Sequence, residues 1–440
     1  MKLILSMILV TLSLLNFKNT FAFDKLKEKK LGYQLTEILW KNGLIYDDIE
    51  LNSFLTGIAN KLTSSLEDTN TNFSFYVIND KEVNAFASWN GVIGVNTGLI
   101  LFAENESELA GILAHEISHI TQNHLSRFLI KNNNEGLILA GGILASILAK
   151  DINISNALLT SSIAATLQNR INYTREHEWE ADRFASELIQ KTEFNPVGLG
   201  TFFKRMIDDN EDYEFLSTHP ISLSRVADNL SRSKSQKTKD IKKSQFKLIQ
   251  AKLFIDIFNT KIDSNDEETN AYSETYKLFK DGKYSLAKTS SERLLKLSSS
   301  PYSMILAGRI YSKLKLNSDN FFLMAQKLGL EEEGLFFQTL ALSEKGLIDE
   351  AITKLKLFVK TNNANVKLYK QLSRFYFDAN QNDKGHFYNA ESLVKQGRFD
   401  EAALFYQRAK NLTNDKNFFD IVAHKEKTNR NTIDILKEID

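Results

Sequence analysis

The seven residues Ala114-His-Glu-Ile-Ser-His-Ile120 carry two histidines four positions apart, with a glutamate directly after the first. On a helix, positions i and i+4 share one face, so both imidazoles can reach one metal ion while the glutamate, one residue round, reaches a water beside it. The stretch therefore predicts a metal-binding helix at the heart of a mainly α-helical domain. Asn105 and Glu108 are spaced as a capping box and place the start of that helix. Leu109, Ile112, Leu113 and Ile120 mark its buried side, and Glu116 falls among them.

Upstream, residues 24–64 read largely as helix, with Leu31, Leu35, Ile38 and Leu39 at three- and four-residue spacing. The run Asn72-Phe-Ser-Phe-Tyr-Val-Ile78 alternates like a strand. Asn84-Ala-Phe-Ala-Ser-Trp89, the pair Asn90-Gly91 and Val92-Ile-Gly-Val95 follow it. Asn-Gly between two short apolar runs signals a hairpin, because both residues accept the positive φ of a type I′ turn. A small antiparallel sheet is thus expected ahead of the motif helix. At the start of the chain, Met1-Lys2, an apolar run from Leu3 to Leu15 and Thr20-Phe-Ala22 have the order of a secretory signal peptide. Residues 1–22 are read as that signal, with the mature chain beginning at Phe23 and exported to a bacterial periplasm.

Downstream, residues 136–149 form a second apolar run, followed by Ala157-Leu-Leu-Thr-Ser-Ser-Ile-Ala-Ala165. Fourteen residues fall short of the ~20 needed to span a bilayer. A buried helix is expected, and peripheral membrane contact or gating of the cleft through 136–165 is the alternative. Further helices are expected over 174–191 and, with Pro196 in the first turn, over 195–208. Residues 231–245 are polar and basic without a hydrophobic period, and read as a linker.

Beyond them the pattern is almost wholly helical, and one phrase recurs three times: Lys280-Asp-Gly-Lys-Tyr-Ser-Leu-Ala287, Glu344-Lys-Gly-Leu-Ile-Asp-Glu-Ala351 and Lys395-Gln-Gly-Arg-Phe-Asp-Glu-Ala402. In each, a Gly ends one helix, an apolar residue two later packs in the turn, and an Ala five after the Gly lets the next helix approach. The phrase resembles the tetratricopeptide repeat, and Gly397, Phe399, Ala402, Tyr406 and Ala409 match that pattern best. Stacked helical hairpins imply protein binding.

A chain of 440 residues predicts two or three domains. With 55 basic and 55 acidic residues the formal net charge is zero, and nothing in it points to nucleic acid. There is no cysteine, so a metal site must use His, Asp or Glu. A catalytic zinc site takes three protein ligands, and the third is sought in Arg175-Glu-His-Glu-Trp-Glu-Ala-Asp-Arg183. Glu178 and Asp182 form an i, i+4 pair that could supply a ligand and a carboxylate to orient a ligand imidazole. On chemistry alone Glu176, His177 and Glu180 stay open as the ligand.

His-Glu-Ile-Ser-His followed by Glu178-Trp-Glu-Ala-Asp182 resembles the gluzincin zinc metallopeptidases of the HtpX and CAAX-prenyl-protease type, whose pattern is HExxH with a later ExxxD. The resemblance implies one Zn2+ per chain held by His115, His119 and Glu178, Glu116 as the catalytic residue and Asp182 as a catalytic partner that orients a ligand. With the signal peptide and the repeats, the chain is similar to the family of periplasmic beta-barrel assembly-enhancing proteases. That likeness rests also on Asn84-Ala-Phe86, placed as a substrate-binding edge strand, and on Leu216-Ser-Thr-His-Pro-Ile-Ser-Leu-Ser-Arg225.

It implies that His219 and Arg225 gate the site or stabilise the transition state. The expected order is a signal peptide at 1–22, a zincin-like helical metalloprotease domain with a small antiparallel sheet at 23–230, a linker at 231–245 and a TPR-like solenoid at 246–440. The implied function is a zinc endopeptidase of the envelope that cleaves misfolded or stalled outer-membrane proteins and aids their assembly. The repeats would contact the beta-barrel assembly machinery. The alternative is a chaperone or adaptor whose protease site is latent or inactive.

Overall fold

The computed structural model describes residues 25–67, 71–131, 175–234 and 245–438. The expectations for the 1–22 leader and the apolar 136–165 segment lie outside the described residues, as does most of the 231–245 stretch. The first helical region divides into α1 (25–41) and α2 (Ile49–Thr63), separated where Gly43 takes a positive φ and Ile45 bridges to Ile78. Asp48 caps α2, accepting the Leu51 N–H at 2.9 Å.

Strands β1 (Ser74–Ile78), β2 (Ala85–Ala87) and β3 (Val92–Asn96) form a sheet in the order β1-β3-β2. β2 and β3 are antiparallel, and Asn90 (φ 57°) and Gly91 (φ 74°) both take the left-handed backbone that the hairpin turn requires. β1 pairs with β3 in parallel, so the sheet is mixed. The chain passes β3's position, lays down β2 beyond it and returns, which leaves β2 at an edge.

After α3 (Thr97–Phe102), the motif helix α4 (Glu106–Thr121) begins where its cap does: the Asn105 side chain accepts the Glu108 N–H at 3.1 Å. Glu108 reaches back one residue further than a capping box, to the Glu104 N–H at 2.8 Å, and is also held by Thr201 and Arg205. The chain then forms α5 (His124–Lys131), α6 (Arg175–Gln190), α7 (Gly198–Asp209), α8 (Glu214–Thr218) and α9 (Leu223–Lys234). α7 starts later than expected because the Asn195 side chain takes the Val197 N–H in a turn, leaving Pro196 outside the helix. At Gly198 the backbone touches α4 so closely that a Cβ would lie 2.2 Å from the Ser107 carbonyl oxygen.

Helices α10 (Phe246–Phe258), α11 (Glu267–Lys280), α12 (Tyr284–Leu297), α13 (Pro301–Lys313), α14 (Asp319–Lys327), α15 (Glu331–Glu344), α16 (Ile348–Thr361), α17 (Val366–Asp378), α18 (Asn382–Lys395), α19 (Phe399–Leu412) and α20 (Lys416–Lys437) follow as a stacked array. Each Gly of the recurrent phrase closes a helix in a left-handed turn. The N–H of the next residue bonds five positions back round the turn: Lys283 to Leu278 (3.0 Å), Leu347 to Leu342 (2.9 Å), Arg398 to Leu393 (3.0 Å). Ala287, Ala351 and Ala402 are fully buried.

The wide gaps between these glycines hide three further turns of the same geometry, one of them at Gly329 (φ 103°), where the Leu330 N–H bonds the Ala325 carbonyl at 3.0 Å. Lys315 and Asn380 take positive φ about 34 residues, one repeat length, after Gly282 and Gly346. The N–H groups that follow them bond to Tyr311 and Tyr376.

One apolar cluster runs without a break from α2, the sheet and α4 through Phe202, Phe203 and Phe215 to Phe246, Leu253, Tyr272, Tyr302 and Ile310 of the array. Lys252 is buried among Asp48, Glu50 and Asp256, and Arg309 reaches Glu50 at 3.2 Å. Far along the array, Gly397 backs onto the Tyr33 carbonyl, and Tyr33 meets Phe399 edge to face at 4.9 Å. Among the described residues no helix is long and apolar enough to cross a membrane.

Candidate metal centre

α4 and α6 pack side by side, with Ala181 and Ala185 of α6 fully buried at the contact. Those alanines share a helix face with Glu178 and Asp182, so the two carboxylates point at α4 while Glu176 and Arg183 point to solvent. Periodicity thus decides among the acidic candidates: Glu178 is 1% exposed, and Glu180, turned off that face, lies outside the cluster. His177 stacks on His124, with ring centroids 4.5 Å apart, and is not among the converging groups.

Candidate ligand atoms of His115, His119, Glu178 and His219 all lie within 4.8 Å of one another, and all four residues are buried. The Nε2 atoms of His115 and His119 approach to 3.0 Å, and each lies 3.5 Å from a Glu178 oxygen. His219, at the C-terminus of α8, stacks on Phe215 and brings Nδ1 to 3.2 Å from Glu178. Glu116 is fully buried, and neither of its carboxylate oxygens accepts a hydrogen bond from another side chain; His219 Nε2 is 3.5 Å away and the Ala87 N–H of β2 lies beside it. The ring nitrogens of His115, His119 and His219 and the carboxylate of Glu178 make a donor set that a divalent cation fits, and its N/O composition suits zinc.

Electrostatics divide the labour. Burial raises the Glu116 carboxyl above its ordinary value. Burial also opposes charge on Glu178, but His219, His115 and His119 outweigh it and hold that carboxyl well below the usual range. His119 is kept well below its ordinary value by burial. Burial works against protonation of His115 too, yet Asp182 and Glu178 push it up to about 9. The His115 ring is oriented by Asp182, whose Oδ1 lies 3.0 Å from Nδ1.

Arg225 is held from three sides. Its Nε and Nη2 donate to the two Asp182 oxygens at 2.8 Å, and Nη1 contacts Glu178 at 2.9 Å and donates to the Pro220 carbonyl at 2.7 Å. Asn229 donates to Asp182 as well, at 3.1 Å. So placed, Arg225 fixes the two carboxylates and shields their charge. Asn229 was not singled out from the sequence, where it reads as an ordinary polar residue of α9.

Asn84, Ala85 and Phe86 fall on β2 and its approach, next to α4. Asn84 and Ser88 exchange backbone bonds with Asn96 and Val92. By the alternation of an antiparallel ladder, Ala85 and Ala87 direct their backbone groups away from β3. The edge beside Glu116 is therefore polar backbone.

Residues 46–233 match the profile of Peptidase family M48. The chain is similar to the beta-barrel assembly-enhancing protease of Escherichia coli (strain K12), with 32% identity over 226 residues, half of this chain and 46% of the relative. A Vibrio cholerae protein given the same name provisionally is 35% identical over 224 residues, 49% of this chain and 46% of its own length. The metalloprotease LoiP of Escherichia coli (strain K12) is 27% identical over 181 residues, covering 39% and 66%. The chain spans about half the length of the first two relatives.

Proposed function

We propose that this chain is a zinc-dependent endopeptidase of the bacterial envelope. The observation that carries the reading is the convergence of His115, His119 and Glu178 on one point, with the sealed carboxylate of Glu116 beside it. A zinc ion at that point supplies Lewis acidity toward a peptide carbonyl and acidifies water. The chain's own groups do the rest. Ala85 and Ala87 present a strand edge that faces away from β3, on which an extended substrate backbone can pair next to Glu116, displacing the Asn84 side chain that takes the Ala85 N–H at 2.9 Å. Glu116 takes a proton from the attacking water and delivers it to the amine released when the C–N bond breaks; its raised pKa suits it to both transfers. Asp182 holds the His115 ring, and Arg225 holds Asp182 and Glu178.

The relatives' names and the leader-like 1–22 stretch support a periplasmic enzyme that acts on misfolded or stalled outer-membrane proteins. In this reading the array is a tetratricopeptide-like platform for clients or for the beta-barrel assembly machinery, and it aids assembly as well as cleavage. Glu116→Gln is expected to lower cleavage of an unfolded protein substrate by a factor of 100 or more, ~10² to 10⁴ being typical for loss of an acid–base group, while metal content and melting temperature stay near wild type. Unchanged cleavage in that variant would sink the enzyme reading and leave the adaptor one.

The latent reading is favoured by one observation: His219 fills the fourth place that a catalytic zinc site leaves open. In that state the protein works mainly by binding, and displacement of His219 admits substrate. His219→Ala is expected to raise basal cleavage severalfold; a rate equal to or below wild type would count against gating.

A further inference from the structure

Of the two histidine ligands on α4, His115 has an obvious support in Asp182. The outer nitrogen of His119 meets a third imidazole. Its Nε2 faces His115 and Glu178, so Nδ1 is the nitrogen left to fix the ring. Against that Nδ1, at 2.9 Å, lies Nδ1 of His124, a fully buried residue five positions on. His124 Nε2 in turn lies 3.1 Å from Glu180 Oε2, and Arg127 Nη1 donates to the same oxygen at 2.9 Å.

The proton positions in this chain follow from its two ends. Glu180 is paired with Arg127 and accepts, so His124 carries its proton on Nε2 and offers a lone pair at Nδ1. His119 must then carry its proton on Nδ1 and leave Nε2 as a lone pair facing the ligand cluster. That is the tautomer a metal needs. The backbone is shaped for the contact: α4 ends at Thr121, and Asn123 takes a left-handed conformation (φ 53°) that turns the chain back so that α5 begins with His124 under His119. His124 is not a fourth ligand, since its Nδ1 addresses the far side of the His119 ring and it stands outside the converging set.

We propose that His124 and Glu180 form a positioning relay for the zinc ligand His119, the counterpart of Asp182 behind His115. The inference rests on the zinc reading of the centre. It gives Glu180, a rival for the ligand role on sequence alone, a place two imidazoles removed from the metal.

The test is Zn2+ affinity of the purified full chain, measured by competition with a chromophoric chelator, together with the melting temperature of metal-free protein. His124→Leu is expected to weaken Zn2+ binding about 10- to 100-fold, the usual cost of losing such a partner. His124→Asn, whose side-chain oxygen can accept the His119 proton at a similar reach, is expected to recover most of that loss. Glu180→Ala, at a half-exposed position, is expected to weaken binding by a smaller factor without unfolding the chain, and it decides the matter should His124→Leu fail to fold. Affinities of His124→Leu and Glu180→Ala within twofold of wild type overturn the relay. A His115→Ala control separates the two readings. If wild type itself does not bind Zn2+ more tightly than His115→Ala, the zinc reading falls; if it does, and the relay variants bind as wild type, only the relay falls.

Discussion

Glu178 of the converging cluster, Asp182 behind it and the Arg225 guanidinium lie within a few ångströms of each other, and all three are buried. Glu178 and Asp182 are both held below their ordinary pKa although burial opposes it, Asp182 chiefly through Arg225. Removing the cation would leave two buried negative charges without their partner, a loss that typically costs about 3–5 kcal/mol. Arg225→Met should therefore lower the stability of metal-free protein by that order in a denaturant titration, and weaken metal retention as well. A stability change below about 1 kcal/mol would show that the carboxylates find other partners. Glu116 is the opposite case: its charge is compensated by little, so its proton is the one poised to move.

The recurrent phrase of the second half is a turn device, and its glycines are not equivalent. A Cβ at Gly346 would enter open space, so only the left-handed backbone (φ 81°) opposes a side chain there. At Gly397 a Cβ would also lie 2.9 Å from the Tyr33 carbonyl oxygen of α1. Gly346→Ala should cost about 1–2 kcal/mol, the ordinary price of a left-handed L-residue. Gly397→Ala should cost clearly more, because α1 must move as well. Thermal melting of the two variants side by side checks the order, and equal losses would mean that α1 yields freely. Lys315 and Asn380 already bear the left-handed strain without glycine, and the Gly329 turn has Gly334 where the phrase has its Ala, which is why the repeat was visible at only three of six such turns.

Between the array and the first half, α15 packs on α2 and buries Glu333, which is 3% exposed. Burial pushes its carboxyl from 4.5 up to about 8, with Glu332 and Glu50 adding to the shift and Ser53 opposing it. A folded pKa above the unfolded one means that the contact is fully stable below about pH 4.5 and loses stability as pH rises through about 8. Glu333→Gln should match wild type in melting temperature at pH 5 and exceed it at pH 9, by on the order of 1 kcal/mol or more in stability. Equal pH profiles would place the carboxyl in contact with water. Because the apolar core is continuous across residue 246, the two halves should also unfold together, in one calorimetric transition.

Much of the candidate centre was legible in the chain because it is local. His115, Glu116 and His119 are fixed by one helix period, the helix start by Asn105, the hairpin by Asn90-Gly91, and the helical turns by Gly282, Gly346 and Gly397; each depends on backbone geometry within a few residues. Local chemistry left Glu178 and Glu180 open, the family resemblance pointed to Glu178, and the packing of α6 on α4 is what turns Glu178 inward beside the two histidines. The tertiary structure also laid β1 parallel to β3, set His219 among the converging groups, placed Asn229 and Arg225 behind Asp182, and brought His124 under His119. Those placements depend on elements far apart in sequence, and a side chain's neighbours across a helix contact leave no trace in local spacing. The residues that can do the chemistry were thus written in the sequence, and the fold decided which of them meet.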